Sequence, residues 1–227
     1  MKKVVITQAL GDKWIEKILK LTRPRMEAYC QRHGQDFISM EKPLAEPPQY
    51  TKSAIGNIMA TRGYEMATFV DCDVLIAQDC EDLTLQAEPD STFMAFDEGE
   101  YLDRKPEMKR LAETYGLPSG WQPKFYFNTG VFVITNKAIG ALSLPPLGLF
   151  PNHFAEQTWM NIMLHLWDIP LPDLDPAFNC MTSVESHFGL DRYKDASIIH
   201  YAGQSADLDK LAETIKADDK KLVELGR

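Results

Sequence analysis

Short apolar runs rich in β-branched and aromatic residues recur along the chain and predict β-strands. The first run, Val4-Val5-Ile6, has the character of a buried strand. Two later runs carry polar residues in an apolar setting, since Asp71-Cys72-Asp73 follows Val70 directly and Asn128-Thr129-Gly130 interrupts another run. Further strands are predicted at residues 36–40, 67–76, 93–96, 125–135 and 197–200.

Helices are predicted between these runs, where apolar residues recur three or four positions apart. Gly11-Asp12 begins the first helix, which Pro24 is expected to interrupt. A second helix is predicted from about Thr22 to His33, with Gly34 as its C-cap. The proline-rich residues 41–49 predict a loop. Further helices are predicted at residues 52–62, 155–166 and 206–225, the last as a charged surface helix.

The alternation of strands and helices predicts an α/β fold in which helices flank a mostly parallel central sheet. The sequence shows no repeat, low-complexity tract or internal linker, so residues 1–227 are expected to form one domain. In sheets of this kind, ligands bind at the carboxyl ends of the strands. Candidate ligand-binding residues at or within strand-like runs are Asp71, Asp73, Asn128 and His200.

The composition restricts the classes of partner. The 227 residues are 44% apolar and 25% charged, as in ordinary globular proteins. A formal net charge of −9 disfavours nucleic acid and anionic membranes as partners. The four cysteines lack C-x-x-C spacing and are expected to be small buried side chains in a reducing compartment. The N-terminal apolar run is too short for a signal-peptide core and no run has transmembrane length, so a cytoplasmic location is expected.

The Asp71-Cys72-Asp73 segment is the most informative one. Residues i and i+2 of a strand point to the same side, so the two carboxylates are expected to converge on one cation while Cys72 points into the core. Carboxylate oxygens suit hard cations such as Mn²⁺ or Mg²⁺, which offset the cost of charge at the end of an apolar strand. The alternative interpretation is a solvated turn at the strand end.

His200 is a further candidate metal ligand, because it follows the apolar run Ser197-Ile198-Ile199. Gly203, three residues later, permits close approach of the backbone to a ligand. The alternative interpretation is a histidine that is hydrogen-bonded within the core or at its rim.

Two other segments place polar groups where a ligand could bind. Gly130 would allow the strand to bulge and Asn128 to direct its amide at a ligand, although an asparagine turn at a strand start gives the same pattern. Glu156-Gln157 lies at the start of an otherwise apolar helix. Acidic residues are common there because they complement the helix dipole, so this pair alone does not indicate a site.

Taken in order, these segments resemble glycosyltransferase family 8, the glycogenin-like and lipopolysaccharide galactosyltransferase-like enzymes of the GT-A fold. The resemblance covers about residues 1–205 and depends on the order and spacing of the motifs, since none is specific alone. The matching segments are an N-terminal strand with Thr7, Tyr29 to Gly34, Phe69 to Ile76, Tyr126 to Asn136, Glu156-Gln157 with Asn161, and Ile198 to Gly203.

The resemblance implies a metal-dependent, retaining hexosyltransferase. The donor would be a nucleoside-diphosphate sugar, expected to be a UDP-sugar, and the acceptor a saccharide or another hydroxyl compound. Asp71, Asp73 and His200 would bind Mn²⁺. The resemblance also implies that Thr7 contacts the base and that Lys52 and Gly203 bind the donor. Asp97 and Asn128 would contact the sugar or the acceptor. Side-chain oxygens of Glu156 and Gln157 would stabilise the anomeric centre.

The sequence departs from the family pattern at two positions. Glu156 stands where the family usually has aspartate. The lysine that contacts the diphosphate in the family is missing, because Gly203 is followed by Gln204-Ser205-Ala206. If Ala206 begins the terminal helix, Lys210 lies one turn along the same face and could supply that positive charge.

Two other functions fit parts of the pattern. Phosphatases of the haloacid dehalogenase type also carry a D-x-D motif after an apolar strand, with the first aspartate as nucleophile. In those enzymes the motif usually lies near the N-terminus and continues with Gly-Thr, whereas here Val74-Leu75 follows Asp73. A non-catalytic nucleotide-sugar-binding protein is the other alternative, and the missing lysine would suit it.

Overall fold

The strands form two sheets in the computed structural model, which describes residues 1–86, 92–117, 122–144 and 155–227. The strands of these ranges are β1 (Lys3–Gln8), β2 (Asp36–Met40), β3 (Met66–Asp71), β4 (Val74–Ile76), β5 (Phe93–Asp97), β6 (Phe127–Thr135), β7 (Cys180–Met181) and β8 (Ile198–His200). The larger sheet has the order β2-β1-β3-β6-β5 and the smaller one the order β4-β8-β7.

The central sheet is mostly parallel, as the sequence predicts. β1 pairs in parallel with both β2 and β3, and β6 runs antiparallel to both β3 and β5. Four of its five strands therefore point in the same direction. Their carboxyl ends bring Gln8, Asp71 and Asp97 to one edge of the sheet.

The predicted strand at residues 67–76 is two strands rather than one. β3 ends at Asp71, a turn contains Cys72 and Asp73, and β4 begins at Val74. β3 pairs with β1 and β6, whereas β4 pairs antiparallel with β8 in the smaller sheet. The chain passes from one sheet to the other at this turn, and pattern alone does not reveal that change because both strands are apolar.

The predicted interruption of β6 is a register shift within a continuous strand. Ala95 of β5 lies opposite Phe132, whereas Asp97 lies opposite Phe127. Residues 128–131 therefore face the single residue Phe96, so this part of β6 bulges away from β5.

The helices of the described residues are α1 (Asp12–Trp14), α2 (Lys20–His33), α3 (Ala54–Arg62), α4 (Lys105–Thr114), α5 (Ala155–Leu166), α6 (Glu185–Phe188) and α7 (Leu208–Glu224). The bounds of α5 agree with the prediction, and α7 lies within the predicted segment 206–225. A 3-10 helix at Pro48–Ser53 precedes α3, so the predicted loop is shorter than expected. α4 is not predicted from the sequence.

The expected break at Pro24 is wrong. A π-helix at Ile15–Leu19 joins α1 to α2, and α2 continues through Pro24 to His33. Proline removes one backbone hydrogen bond but does not have to end a helix when tertiary packing holds the segment. Here Met26 and Tyr29 of α2 are fully buried in the core.

Helices cover both faces of the central sheet. On one face the ring of Phe132 stacks on those of Phe69 and Phe93, with centroids 5.2 Å and 5.3 Å away, beneath α3, α4 and α5. On the other face Val5 and Val70 pack against α2. This arrangement confirms the predicted α/β architecture.

The remaining cluster of buried side chains joins α7 to the smaller sheet. Leu211 and Ile215 of α7 pack with Leu75 and Ile199, and the opposite side of α7 is exposed. The four cysteines are buried and form no disulfide. Within the described residues, none of the helices is both long enough and apolar enough to cross a membrane.

Candidate metal centre and active site

Asp71, Asp73 and His200 come together where the two sheets meet. Asp71 ends β3, Asp73 lies in the following turn, and His200 ends β8. Nε2 of His200 is 3.8 Å from Oδ2 of Asp71 and 3.8 Å from Oδ1 of Asp73. One ligand atom from each residue lies within 4.8 Å of the other two. The predicted convergence is therefore present.

The physical reason for the convergence differs from the prediction. The carboxylates converge because the chain turns at Cys72 and Asp73, rather than because of alternation along one strand. Oγ1 of Thr22 donates to the Cys72 carbonyl oxygen at 2.7 Å, and the Tyr201 backbone N–H donates to the Asp73 carbonyl oxygen at 3.0 Å. Cys72 is 5% exposed and packs in the core, as expected.

The three candidate ligand groups fit a divalent cation between hard and soft in its preference for ligands. Two carboxylates and one imidazole nitrogen suit Mn²⁺, and atoms about 2.1 Å from a common ion lie about 3–4 Å apart. Asp73 is 9% exposed, and burial raises the pKa of its carboxyl group despite the attraction of His200. A bound cation would offset this cost of buried charge.

Gly130 leaves the space that the His200 ring occupies. A Cβ atom at position 130 would lie 2.1 Å from Cε1 and 2.7 Å from Nε2 of His200. Gly130 is therefore needed for close approach of β6 to the histidine, in addition to the bulge that the sequence predicts.

Lys52 connects the Asp71 carboxylate to the N-terminus of α5. Its Nζ atom lies 3.1 Å from Oδ1 of Asp71 and 3.4 Å from Oε1 of Glu156, and it donates to the Thr129 carbonyl oxygen at 3.2 Å. The side chain is 8% exposed. Burial lowers the pKa of Lys52, but Asp71 and Glu156 outweigh this effect and raise it, so the ammonium group stays charged.

Glu156 and Gln157 both face this region from the first turn of α5. Burial raises the pKa of the Glu156 carboxyl group, and Lys52 opposes that effect. Oε1 of Gln157 accepts hydrogen bonds from the backbone N–H and the hydroxyl of Thr129, each at 3.1 Å. Nε2 of Gln157 is buried and makes no hydrogen bond of ordinary geometry within the described residues. The oxygen that the resemblance places at the anomeric centre is thus hydrogen-bonded to Thr129.

Asn128 is hydrogen-bonded within the protein. Its Oδ1 accepts from the Gly130 backbone N–H at 2.9 Å and from Nδ2 of Asn179 at 3.2 Å. Its Nδ2 donates to Oε2 of Glu98 at 2.8 Å. The amide therefore lies within the candidate site with its hydrogen bonds directed at neighbouring side chains and backbone.

Asp97 stands one residue before Glu98 at the end of β5. Its Oδ1 accepts from the backbone N–H groups of Gly99, at 2.9 Å, and Tyr126, at 3.0 Å. This oxygen caps the short 3-10 helix at Glu98–Glu100. The described contacts do not join Asp97 directly to the candidate metal ligands.

Thr7 and Gly203 lie at the margins of the candidate site. Thr7 is fully buried, and its hydroxyl has no hydrogen-bond partner among the described residues. Its neighbour Gln8 pairs in register with Asp71. Gly203 is exposed and has a φ of +80°, a backbone conformation that favours glycine.

Lys210 does not stand where the sequence argument placed it. Asp207 is the N-cap of α7 and accepts from the backbone N–H groups of Asp209 and Lys210, so Ala206 lies outside the helix. Aspartate is a better N-cap than alanine, which explains the later start. Lys210 is exposed, and no described hydrogen bond or ion pair joins its side chain to the metal ligands.

The sequence analysis missed three polar residues of the site. Oδ1 of Asn179 accepts from Nδ1 of the His200 ring at 2.8 Å, Nδ2 of Asn128 donates to Glu98, and the Thr129 backbone N–H donates to Gln157. The sequence could have pointed to Asn179 because it is an amide between the apolar residues Phe178 and Cys180.

The architecture is that of solved glycosyltransferases. A glycosyltransferase involved in glycosylation of the major capsid of PBCV-1 has a TM-score of 0.63 and 18% identity, over 96% of this chain and 100% of that one. The galactosyltransferase LgtC, in complex with donor and acceptor sugar analogs, has a TM-score of 0.56 and 14% identity, over 94% and 95% of the two chains.

The glycosyltransferase GlyE of Streptococcus pneumoniae has a TM-score of 0.52 and 14% identity, and the match spans 96% of this chain but 64% of that one. No family model and no curated protein sequence matches the chain. The structural likeness establishes the GT-A fold, as the sequence resemblance implied.

Proposed function

We propose that this protein is a metal-dependent glycosyltransferase that moves a hexose from a nucleoside-diphosphate sugar to a hydroxyl group of a saccharide or another acceptor. The observation that carries the proposal is the convergence of Asp71, Asp73 and His200 at the carboxyl edge of a GT-A sheet. A divalent cation, with Mn²⁺ the first to test and Mg²⁺ the second, would offset there the negative charge of the leaving diphosphate.

Protein groups beside the three ligands would orient the donor. Lys52 adds a second positive charge at the same edge, since it is buried and charged. The buried, unpartnered hydroxyl of Thr7 is a candidate contact for the nucleoside. We propose UDP-sugars as the donor class, on the basis of the sequence resemblance to family 8.

The sugar would lie towards α5. Nε2 of Gln157, which lies beside the Tyr126 hydroxyl, would donate a hydrogen bond to a sugar oxygen, and the Glu156 carboxylate would place negative charge near a cation-like anomeric centre. Asp97 and Asn128 would contact sugar or acceptor hydroxyls from the neighbouring end of the sheet. We propose that the configuration at the anomeric carbon is retained, again from the resemblance.

The binding part of the proposal is tested by thermal unfolding with UDP in the presence and absence of Mn²⁺. A ligand at a hundred times its dissociation constant adds about 2.7 kcal/mol to the unfolding free energy. We expect this gain to need Mn²⁺ and to be lost in Asp71→Asn. Asp12→Asn makes the same charge change at an exposed position and should keep the full gain.

The catalytic part is tested by incubation with a panel of UDP-sugars and saccharide acceptors, beside a phosphomonoester. Sugar transfer that depends on Mn²⁺ supports the proposal. Hydrolysis of the phosphomonoester without sugar transfer would favour the phosphatase. Binding of UDP and Mn²⁺ without any turnover would favour the non-catalytic binder.

A further inference from the structure

The ring of His200 is held by one buried amide. Nδ1 of His200 lies 2.8 Å from Oδ1 of Asn179, and Nε2 faces Asp71 and Asp73. Asn179 is 0% exposed and His200 is 2% exposed, so water does not compete for this contact. Whether Nδ1 of His200 carries a proton therefore depends on which atom of the Asn179 amide faces it, the oxygen or the nitrogen.

The orientation of Asn179 is determined by a chain of hydrogen bonds that begins at the backbone. The Gly130 N–H can only donate, so the Asn128 atom that receives it at 2.9 Å must be Oδ1. The amino group of Asn128 then faces Oε2 of Glu98, an oxygen that accepts, at 2.8 Å. The other carboxylate oxygen of Glu98 accepts from Nε of Arg104 at 2.9 Å, so both oxygens of Glu98 act as acceptors.

The direction of these hydrogen bonds also determines which atom of Asn179 faces His200. Because Oδ1 of Asn128 is the acceptor, Asn179 presents its Nδ2 to that atom at 3.2 Å. Its Oδ1 is then the atom that faces His200, and an oxygen of this kind only accepts. Nδ1 of His200 must carry a proton, so the lone pair of the neutral ring is on Nε2, which faces the two aspartates.

We propose that Asn179 is a positioning residue that fixes His200 as the Nδ1–H tautomer, with Nε2 ready to bind a cation. The Gly130 N–H and the Glu98 carboxylate fix the orientation of the Asn128 amide. Asn128 in turn fixes that of Asn179, which faces His200. The part of this inference that concerns the cation depends on the proposed function, whereas the tautomer is a property of the protein alone.

The first test is nitrogen-15 NMR of the His200 imidazole in metal-free protein at pH 8, where a neutral imidazole reports its tautomer. We expect Nδ1 to be the protonated nitrogen in the parent protein. An Nε2–H tautomer there would overturn the proposal without any need for a variant.

The second test compares substitutions at Asn179. Asn179→Leu removes both hydrogen bonds, and we expect loss of the Nδ1–H preference together with a 10- to 100-fold fall in affinity for Mn²⁺ alone, measured by calorimetry. Asn179→Asp keeps an acceptor towards Nδ1, so it should keep the tautomer. If Asn179→Leu does not fold, Asn179→Asp still decides, because loss of the Nδ1–H form in that variant contradicts the proposal.

Asn161→Leu is the matched control, because Asn161 is also 0% exposed and makes its hydrogen bonds to the backbone of Phe127 and Gln157. It should lower thermal stability and leave the His200 tautomer unchanged. An unchanged tautomer and unchanged Mn²⁺ affinity in folded Asn179→Leu would overturn the proposal. If the tautomers and Mn²⁺ binding are as expected but no sugar is transferred, the inference about Asn179 stands and the proposed function is contradicted.

Discussion

The Nζ atom of Lys52 lies 3.1 Å from one oxygen of Asp71, while the other oxygen of that carboxylate lies 3.8 Å from Nε2 of His200. Asp71 thus connects a buried ammonium group to the candidate metal centre. The same ammonium lies 3.4 Å from Glu156. One cation of the protein therefore compensates two carboxylates of the site before any ion binds.

This arrangement predicts that Lys52 contributes to the stability of the fold. We expect Lys52→Met to lower the unfolding free energy by about 3–5 kcal/mol, because it leaves two carboxylates without their buried partner. Urea unfolding measures the loss. Lys20→Met is the control, since Lys20 pairs with Glu16 on an exposed helix surface and such pairs contribute less than about 0.5 kcal/mol. Equal losses in the two variants would show that the Lys52 pairs are not the source of stability.

Asp73→Asn is expected to stabilise the metal-free protein at neutral pH, because burial raises the pKa of Asp73 and makes its ionised form unfavourable in the folded state. The gain should shrink as pH falls through the raised folded pKa and vanish below the ordinary value of about 3.9, where both states bind the proton. With saturating Mn²⁺ the order should reverse, because the variant lacks a ligand.

The measurement is thermal unfolding of Asp73→Asn and the parent in steps of about one pH unit, from about pH 3.5 to about pH 8. Asp79→Asn is the control of opposite sign, because the hydrogen bond from Arg227 lowers the pKa of Asp79 and its ionised form is the favourable one in the fold. A metal-free Asp73→Asn protein that is less stable than the parent at pH 8 would contradict the prediction.

Gln157→Ala is expected to lower the turnover number far more than donor affinity, because the proposed role of its Nε2 is to stabilise the transition state at the sugar. Turnover from sugar transfer and affinity from calorimetry with UDP and Mn²⁺ separate the two effects. Thr129 loses an acceptor in this variant, so its melting temperature must be recorded as well. An unchanged turnover number in folded protein would remove Gln157 from the reaction.

The missing lysine after Gly203 leads to a paired prediction. Ala206→Lys should tighten binding of UDP with Mn²⁺, since it restores a positive charge close to the turn after β8. Lys210→Ala should weaken binding by about 1–3 kcal/mol if its long side chain supplies that charge now. Lys216→Ala removes an exposed charge further along α7 and should have no effect. A silent Lys210→Ala beside a tighter Ala206→Lys would show that the protein lacks this contact.

Local pattern was sufficient for most of the regular elements. The helix at 155–166 and the strands at 36–40 and 93–96 were predictable because each has one apolar face or run with a clear end. Pattern failed at Pro24 and at Asp71-Cys72-Asp73, since the outcome there depends on what the segment packs against. A local rule cannot identify the partner strand of Val74 or the core beneath Met26.

The same distinction applies to the candidate site. Polar groups after apolar runs made Asp71, Asp73 and His200 candidates, and the resemblance to family 8 grouped them as one metal site, in agreement with their convergence. Asn179 was missed because its function follows from contacts with Asn128 and His200, which are distant in sequence. The atom that Gln157 presents was also unpredictable, because it depends on the backbone of Thr129.

The position of the three candidate metal ligands where two sheets meet has a consequence for biosynthesis. Asp71 and Asp73 are synthesised before His200, which follows Asp73 by 127 residues. Lys52 is already present when the two aspartates emerge. A nascent chain thus carries the acidic pair with its lysine partner but without the imidazole, until β8 has paired with β4. Binding of an ion by all three candidate ligands would therefore follow the pairing of β8 with β4.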